Sequence, residues 1–234
     1  MSYFTQKRPE MLEFIPTQRN RVLEIGCAEG EFLHSVPGVR ERWGIEPSPA
    51  ARVARTRLDH VFEATFDGAE ADLPIGYFDV VICNDVIEHM PDHESFFSRI
   101  SQHIAPDGVL VGSIPNVRFY RNLFEMVLEK DWNYIEYGIL DRTHTRFFTE
   151  KSLKKCLTRH EYRIERLDGL DNAGVPRSGR QRTYYLASRA LIALSLGYFK
   201  DIQYLQFGFR VAPSKTRDPR AKPDQSGSYP AAVK

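Results

Sequence analysis

The stretch Val22-Leu-Glu-Ile-Gly-Cys-Ala-Glu-Gly30 decides the fold of this chain of 234 residues. Its first half is a short apolar run that ends in Gly26, as a buried parallel strand does. Gly30 then begins a helical pattern, so the two glycines stand where a strand passes into a helix. At such a junction the backbone approaches a ligand closely and the helix N-terminus points at it. The stretch therefore predicts a ligand-binding turn after the first strand of a parallel sheet.

Strand-like and helix-like patterns alternate on both sides of this turn. Strands are predicted at residues 21–25, 42–46, 61–65, 78–83, 109–114, 162–167 and 207–211, and helices at 8–15, 30–36, 50–58, 93–104, 149–159 and 184–199. This alternation predicts a Rossmann-like α/β fold, a mostly parallel sheet with helices on both faces.

Two segments, 115–148 and 170–203, interrupt the alternation after strands five and six. Open α/β sheets bind ligands outside the carboxyl ends of their strands. We therefore expect both segments to be substrate-side insertions within a single domain that spans residues 1–213.

Composition and charge exclude several classes of protein. Hydrophobic residues make up 42% of the chain, and its net charge is only +1, so nucleic acid is not an expected partner. The apolar run 186–199 contains Arg189 and is too short to cross a bilayer. The N-terminus also lacks an apolar signal core. These features predict a cytoplasmic protein without membrane insertion, and they leave an oligomer possible.

The three cysteines, Cys27, Cys83 and Cys156, have spacings that match neither a disulfide framework nor paired metal ligands. We therefore expect reduced thiols.

The charge is unevenly distributed along the chain. From residue 172 onward, eleven Lys and Arg face three Asp, a balance of +8, so the preceding residues carry −7. Such asymmetry marks either a site for an anionic partner or a solvated tail. Residues 214–234 combine Pro, Gly and charge without periodicity, and we expect them to be a disordered tail.

An acidic residue follows the second predicted strand. Glu46 stands twenty residues after Gly26, at a position where a carboxylate accepts hydrogen bonds from the hydroxyls of a ribose. The glycine pattern G-x-x-x-G is not the G-x-G-x-x-G pattern of dinucleotide sites, which makes a nicotinamide cofactor the weaker hypothesis.

The segments 22–30, 44–46 and 78–89 together resemble successive motifs of the class I S-adenosylmethionine-dependent methyltransferases. The resemblance covers about residues 8–114. It implies a seven-stranded sheet whose last strand is antiparallel, with S-adenosylmethionine lying across the carboxyl ends of strands one, two and four. Ala28 departs from the family, which usually has a glycine there, and we expect a minor effect.

The resemblance also implies which residues contact the cofactor. Contacts with the methionine and sugar end are implied for Glu24, Gly26, Cys27, Ala28 and Gly30, and contacts with the ribose hydroxyls for Glu46. Asp67 and Gly68 would face the adenine, and Asn84 and Asp85 would line the sulfonium side.

Transfer of a methyl group to a hydroxyl requires removal of a proton, and two histidines are candidates for the base. His89 follows the fourth strand, and His144 lies in the first insertion, where Asp141 is placed to orient it. The alternative is a structural network in which Arg142 or Arg146 pairs with Asp141. The same groups are also able to hold a divalent cation, but their spacing resembles no tight metal motif, so no metal is predicted.

Residues 140–149 resemble a methyltransferase subgroup associated with bacterial surface polysaccharides and sugars. A sugar or sugar-phosphate hydroxyl is therefore the expected acceptor. The forked side chains of Arg177, Arg180 and Arg182 suit phosphate oxygens, unless they belong to a solvated loop. Tyr120 is placed either to stack on a sugar face or to fill the core.

Other acceptors stay open at this point: a quinone precursor, an amine or a phosphorus-containing group. A cofactor-binding subunit without turnover is the alternative from outside the enzymes.

Overall fold

The computed structural model describes residues 8–170 and 178–214, and within these ranges seven strands form a single sheet. The strands are β1 (Arg21–Ile25), β2 (Glu41–Ile45), β3 (His60–Phe62), β4 (Phe78–Asn84), β5 (Ile104–Pro115), β6 (Tyr162–Leu170) and β7 (Gln206–Pro213). The helices are α1 (Pro9–Leu12), α2 (Glu31–Ser35), α3 (Ala51–Ala54), α4 (Phe66–Ala69), α5 (His93–Ile100), α6 (Tyr120–Phe124), α7 (Glu150–Arg159) and α8 (Gly179–Leu194).

The strand order is β3-β2-β1-β4-β5-β7-β6. The pairs among β1 to β5 are parallel, whereas β7 lies between β5 and β6 and runs antiparallel to both. This topology confirms the predicted Rossmann-like sheet with an antiparallel last strand. It also places the ends of β1, β2 and β4 side by side at one edge.

The core lies on both faces of the sheet. Successive side chains of a strand point to opposite faces, and β4 shows this alternation. Val81 and Cys83 pack in one buried cluster, while Val80 and Ile82 pack in the other. Because both faces are covered, β4 reads as a continuous apolar run.

The two segments that interrupt the alternation pack against each other. α6, from the first segment, contacts α8, from the second. A third buried cluster forms between them around Phe119, Tyr120, Tyr184 and Ile202.

The main departure from the predicted elements lies between α5 and β5. The helix ends at Ile100, and Ile104 begins the strand by pairing with Phe78. The turn expected at residues 106–108 lies inside β5, where the register shifts between the pairs of Phe78 and Val80. Ile104 is buried and begins the strand, while residues 105–108, which include the turn signal, have no partner in β4.

Three further expectations concern the cysteines, membrane-spanning helices and the C-terminal tail. Cys27, Cys83 and Cys156 are free and buried. Over the described ranges, no helix has both the length and the apolar character needed to cross a membrane. Of the predicted disordered tail, residues 215–234 lie outside the described residues.

Candidate active site

The backbone geometry of the turn after β1 explains why residues 22–30 contain glycine at positions 26 and 30. Gly26 has φ 72°, and a Cβ atom there would lie 2.4 Å from Cγ2 of Val86. Gly30 has φ 75° at the start of α2. Ala28, between them, also lies in the left-handed region, at φ 48°, which glycine adopts more easily than alanine. The position where the sequence departs from the family is therefore a mildly strained one.

Glu46 folds back from the end of β2 onto this turn. Its buried carboxylate accepts hydrogen bonds from the backbone amides of Ala28 and Ser48, both at 2.9 Å. Each carboxylate oxygen keeps a further lone pair. The first two strands thereby bring a carboxylate acceptor beside the glycine turn, as the twenty-residue spacing indicated.

A cavity of about 280 Å³ opens at the ends of β1, β2 and β4. Its lining includes seven of the ten predicted cofactor residues: Glu24, Gly26, Cys27, Ala28, Glu46, Asn84 and Asp85. His89, one of the two candidates for the base, also lines it. Gly30 is not in this lining. It shapes the turn, since its amide donates to the carbonyl oxygen of Cys27 at 2.7 Å.

A second cavity, of about 600 Å³, adjoins the first at Gly26, Pro47, Val86 and His89. Asp67 lines this cavity and pairs with Arg99. Gly68 does not line it, because it lies within α4 with its amide turned to Thr65. The structure thus brings Asp67, but not Gly68, to the place predicted for the adenine.

Two polar groups in the first cavity indicate that it is built for a ligand. Burial raises the pKa of Glu24 to about 8, although its carboxylate accepts a hydrogen bond from the amide of Leu33. The side-chain amide of Asn84 is buried with no hydrogen-bond partner for either its nitrogen or its oxygen. Buried polar groups are normally paired, so these atoms fit a polar ligand in the cavity.

Asp85 is the centre of a hydrogen-bond network that the sequence did not reveal. Its carboxylate accepts from Ser113 Oγ at 2.9 Å, from Gln206 Nε2 at 2.8 Å, and from the guanidinium of Arg8. Its backbone has φ 54°, so the side chain is aimed by a left-handed turn at the end of β4. Residues from both ends of the described chain therefore meet at one carboxylate.

A third cavity, of about 430 Å³, lies on the other side of this network. Arg8 and Asp85 line both it and the 280 Å³ cavity, so the two cavities meet at this pair. The further lining comes from Glu10, Glu88, Pro115, Tyr137, Gly138, Ile139, Asp141, His144, Leu205 and Gln206. Among the described residues that line these two cavities, Arg8 is the single Lys or Arg.

His144 is held with one ring nitrogen open. Its Nδ1 lies 2.9 Å from the carbonyl oxygen of Ile139, which only accepts, so Nδ1 carries the proton. Nε2 then bears the lone pair, and it lies 4.0 Å from Oε1 of Glu88. The ring also meets that of His89 edge-on, with centroids 4.6 Å apart. This neutral tautomer is the form that accepts a proton.

Glu88 is a second group that sequence reasoning missed as a site residue. It is buried, neither carboxylate oxygen has a hydrogen-bond partner in the described structure, and it lines the 430 Å³ cavity. Burial, reinforced by the charge of Asp85, raises its pKa well above the ordinary range. The sequence signal was the Glu-His pair that follows β4, of which only the histidine was singled out.

Asp141 does not orient His144 as predicted. Its carboxylate accepts instead from the amide of Thr143 at 2.8 Å and from its hydroxyl at 2.6 Å. Thr143 Oγ1 lies 3.0 Å from Nδ1 of His89, which must donate because the hydroxyl proton is already used. Asp141 therefore fixes His89 through Thr143, and the Ile139 carbonyl fixes His144.

The predicted arginine pairings of Asp141 are also absent from the described contacts. Arg142 pairs with Glu136 at 2.7 Å, and Arg146 donates to the carbonyl oxygens of Thr145 and Pro91.

The residues predicted to bind the acceptor do not meet at the cavities. Tyr120 is buried in the cluster between the two insertions, where its ring contacts that of Phe119. It therefore fills the core and does not line any of the three cavities described above. Arg180 pairs with Glu129 at 2.8 Å, and Arg182 is exposed on the same helix. Arg177 lies outside the described residues. Tyr137, a neighbour in the first insertion, does line the 430 Å³ cavity.

Two groups of the described side chains have a donor set for a metal ion, and one of them lies at the cavities. Ligand atoms of Glu88, His89 and His144 all lie within 4.8 Å of one another. Two ligands about 2.1 Å from one ion are at most about 4.2 Å apart, so this group needs a small closure to share a cation. A carboxylate with two imidazoles suits zinc, iron or manganese better than calcium.

The fold and these cavities define a class of protein: a Rossmann-like fold with one cavity at the ends of β1, β2 and β4 and a second cavity that meets it at Arg8 and Asp85. The sequence model of the methyltransferase domain family matches residues 2–167. The chain belongs to this family, in agreement with the expected enzyme and with the expected S-adenosylmethionine cofactor.

Named relatives and solved structures extend this comparison. The chain is 32% identical over 149 residues to a ubiquinone biosynthesis O-methyltransferase of Vibrio atlanticus, which covers 58% of this chain and 60% of that protein. It is 26% identical over 156 residues to a trans-aconitate 2-methyltransferase of Deinococcus radiodurans, which covers 64% of this chain and 57% of that protein. The chain thus spans about three fifths of the length of these relatives.

Among solved structures, the methyltransferase in complex with the Trm112 activator from Haloferax volcanii superimposes with a TM-score of 0.63 at 13% identity and covers 90% of each chain. A SAM-dependent methyltransferase from Archaeoglobus fulgidus gives a TM-score of 0.55 at 18% identity and covers 82% of this chain and 86% of that one. At these identities the likeness concerns the fold.

We expect Glu46→Ala to weaken the binding of S-adenosylmethionine by about 1.5–3 kcal/mol, the worth of hydrogen bonds to a charged group. Calorimetry on the folded variant measures this change. Glu46→Gln serves as the matched control, because an amide keeps one acceptor oxygen and should lose less. An unchanged affinity for Glu46→Ala would remove Glu46 from the cofactor site.

Proposed function

We propose that this protein transfers a methyl group from S-adenosylmethionine to a hydroxyl group of a small acceptor, with a phenolic quinone precursor as the acceptor class best supported. The observation that carries the proposal is the meeting of two cavities at Asp85 and Arg8, with the open nitrogen of His144 on the acceptor side. The cofactor supplies the activated methyl group, so the chain has to align the acceptor and remove its proton.

The cofactor would be held by groups from three strand ends. Glu46 is placed for the ribose hydroxyls, and the unpartnered amide of Asn84 is placed for a polar group of the methionyl end. Arg8 pairs with Asp85 and Glu10, and as the one Arg or Lys among the described residues of this lining it would offset the negative charge that the carboxylate of the cofactor meets there. Asp67 lines the adjoining 600 Å³ cavity, in which the adenine would lie.

His144 would serve as the general base. The bond from Nδ1 to the Ile139 carbonyl fixes both the tautomer and the ring orientation, which leaves Nε2 to receive the hydroxyl proton. Glu88 lies 4.0 Å from Nε2, and the imidazolium that results would lower the raised pKa of this buried carboxyl, so that its ionised form becomes the counter-ion.

His89 is the second candidate for the base. Its chain of contacts through Thr143 to Asp141 is the arrangement that orients catalytic histidines. It lines the two cofactor-side cavities, whereas His144 lines the acceptor cavity. Burial and the neighbouring His144 also lower the pKa of His89, which makes it the weaker base. This placement favours His144.

A divalent cation on Glu88, His89 and His144 is a variant of the same function. The unpartnered carboxylate of Glu88 favours it, since a bound cation would resolve the cost of burying that group. With a cation there, the three side chains would act as its ligands and the acceptor hydroxyl would lose its proton more easily.

The acceptor class rests on the relatives and on the cavity. The two relatives described above are named for ubiquinone biosynthesis and for trans-aconitate, so they lend no support to the sugar interpretation of residues 140–149. A phenol is also more acidic than an alcohol, since the phenolic hydroxyl of tyrosine has a pKa of about 10. A single histidine base therefore suits a phenol better. The ring of Tyr137 offers a face for an aromatic acceptor.

The deciding experiment is an assay of S-adenosylhomocysteine release with a panel of catechols and hydroxybenzoates set against a panel of sugar nucleotides. Turnover with phenols alone supports the proposal, whereas turnover with sugars alone overturns the acceptor class. Parallel reactions with a chelator, and with added zinc or manganese, distinguish the two forms of proton removal. Absence of turnover together with absence of cofactor binding would overturn the function.

A further inference from the structure

The outer face of α8 carries large apolar side chains that the described structure leaves uncovered. Leu186 is 60% exposed, Leu194 85%, and Leu196 97% just beyond the helix end; Tyr198 is 82% exposed. Soluble surfaces hold single exposed leucines commonly, but a group on one element marks an interaction site.

The helical positions show that this exposure is a second face and not fraying. The buried side of α8 is formed by Tyr184 and Ser188, together with the partly buried Leu191 and Ile192. At 3.6 residues per turn, Leu186 lies opposite this side, and Leu194 lies about 80° around the helix from Leu186, with the small residue Ala190 between them. α8 therefore has one apolar face toward the protein and another toward the outside.

A neighbouring segment packs against the inner side of α8. Met126, Val127 and Leu128 are exposed in the π-helical turn that continues α6. Glu129, which ends this turn, accepts hydrogen bonds from Arg180 at 2.8 Å and from the Tyr184 hydroxyl at 3.0 Å. These bonds attach the turn to the Tyr184 side of α8, so residues 126–128 do not extend its outer face. We call the exposed residues 186, 194, 196 and 198 the outer apolar surface.

The charges around this surface have one sign along α8. Residues 178–200 contain Arg180, Arg182, Arg189 and Lys200 and no Asp or Glu. Arg182 and Arg189 lie beside the apolar face, on the flank between it and Tyr185. This segment contributes to the positive second part of a chain whose first part is negative.

We propose that the outer apolar surface docks on an anionic lipid bilayer, with α8 lying in the plane of the interface. Leucines enter the acyl boundary, tyrosines lie at headgroup level, and flanking arginines attract the lipid phosphates. A second copy of the chain is the poorer occupant, since a two-fold contact through this face would bring Arg182 and Arg189 against their own copies. The inference does not depend on the proposed methyl transfer.

The experiment is co-sedimentation of the full chain with large unilamellar vesicles of phosphatidylcholine alone or mixed with phosphatidylglycerol. We expect binding to the anionic vesicles that weakens as salt is added, and little binding to the neutral ones. Arg182→Gln combined with Arg189→Gln should weaken it by about 10- to 30-fold, at about 1 kcal/mol per basic residue near the surface.

Apolar variants test the other half of the contact. Leu186→Glu with Leu194→Glu should abolish sedimentation with anionic vesicles, and Leu196→Glu alone should weaken it while leaving the fold intact, because that side chain is 97% exposed. Ile75→Glu is the matched control: Ile75 is 50% exposed but lies in the turn before β4, away from α8.

Three results would overturn the proposal. The first is a wild-type chain that stays in the supernatant with anionic vesicles. The second is binding of the leucine variants as strong as that of the wild type, and the third is a loss of binding in Ile75→Glu as large as that in the leucine variants. A wild-type dimer in analytical ultracentrifugation that the leucine variants dissociate, without vesicle binding, would assign the surface to a second copy instead.

Discussion

Replacing His144 with alanine is expected to lower the turnover rate by about 10²–10⁴-fold while cofactor affinity stays nearly unchanged. The reason is that Nε2 is the open nitrogen on the acceptor side, whereas the cofactor cavity is lined by other residues. Turnover with the acceptor found in the panel assay, and calorimetry with S-adenosylmethionine, measure the two quantities separately.

His144→Asn separates the chemical role from the structural one. Its amide is able to keep the bond to the Ile139 carbonyl, but it provides no base, so it should be as slow as the alanine variant and as stable as the wild type. His60→Ala, at an exposed histidine on β3, is the control for loss of a surface imidazole. Near-normal turnover in His144→Asn would transfer the role of base to His89 or to a bound cation.

Replacing Glu24 with glutamine is expected to stabilise the unliganded protein by about 4 kcal/mol at pH 8 and by little below pH 4.5. Burial raises the folded-state pKa of Glu24 from 4.5 to about 8. Between these two values the unfolded chain releases a proton that the folded chain retains, so the wild type loses stability as the pH rises. Glutamine is neutral in both states and removes this loss.

Urea denaturation of both proteins at pH 5, 6.5 and 8 measures the difference. Glu136→Gln is the control, because that side chain is 70% exposed and lies in the first insertion. A gap between wild type and Glu24→Gln that stays constant with pH would show that Glu24 is already ionised in the folded protein.

The fold and the cofactor side of the site could be predicted from local sequence because each signal is local. The apolar run before Gly26, the acid at Glu46 and the run before Asn84 each sit at the end of a buried strand, and parallel strand ends meet at one edge. The turn signal at residues 106–108 marks an irregularity inside β5, where residues 105–108 have no partner in β4, and the strand begins before it because Ile104 pairs with Phe78.

The acceptor side was harder to predict because its contacts join distant parts of the chain. Arg8 and Gln206 meet at Asp85, and no spacing in the sequence relates them. The pairing of Asp141 with His144 was inferred from a separation of three residues. In the structure Thr143, which lies between them, donates hydrogen bonds to the carboxylate from its amide and its hydroxyl. Glu88 became visible only through its burial without a partner.

The position of β7 has a consequence for the way this chain is synthesised. In the described sheet β6 pairs only with β7, and β7 is inserted between β6 and β5 although it is made last. A nascent chain that has emerged through Leu170 therefore has an edge strand with nowhere to dock. Gln206, which begins β7, also completes the network at Asp85. Closure of the sheet and completion of the network at Asp85 thus coincide with the emergence of β7, and a ribosome-bound chain that stops short of β7 has neither.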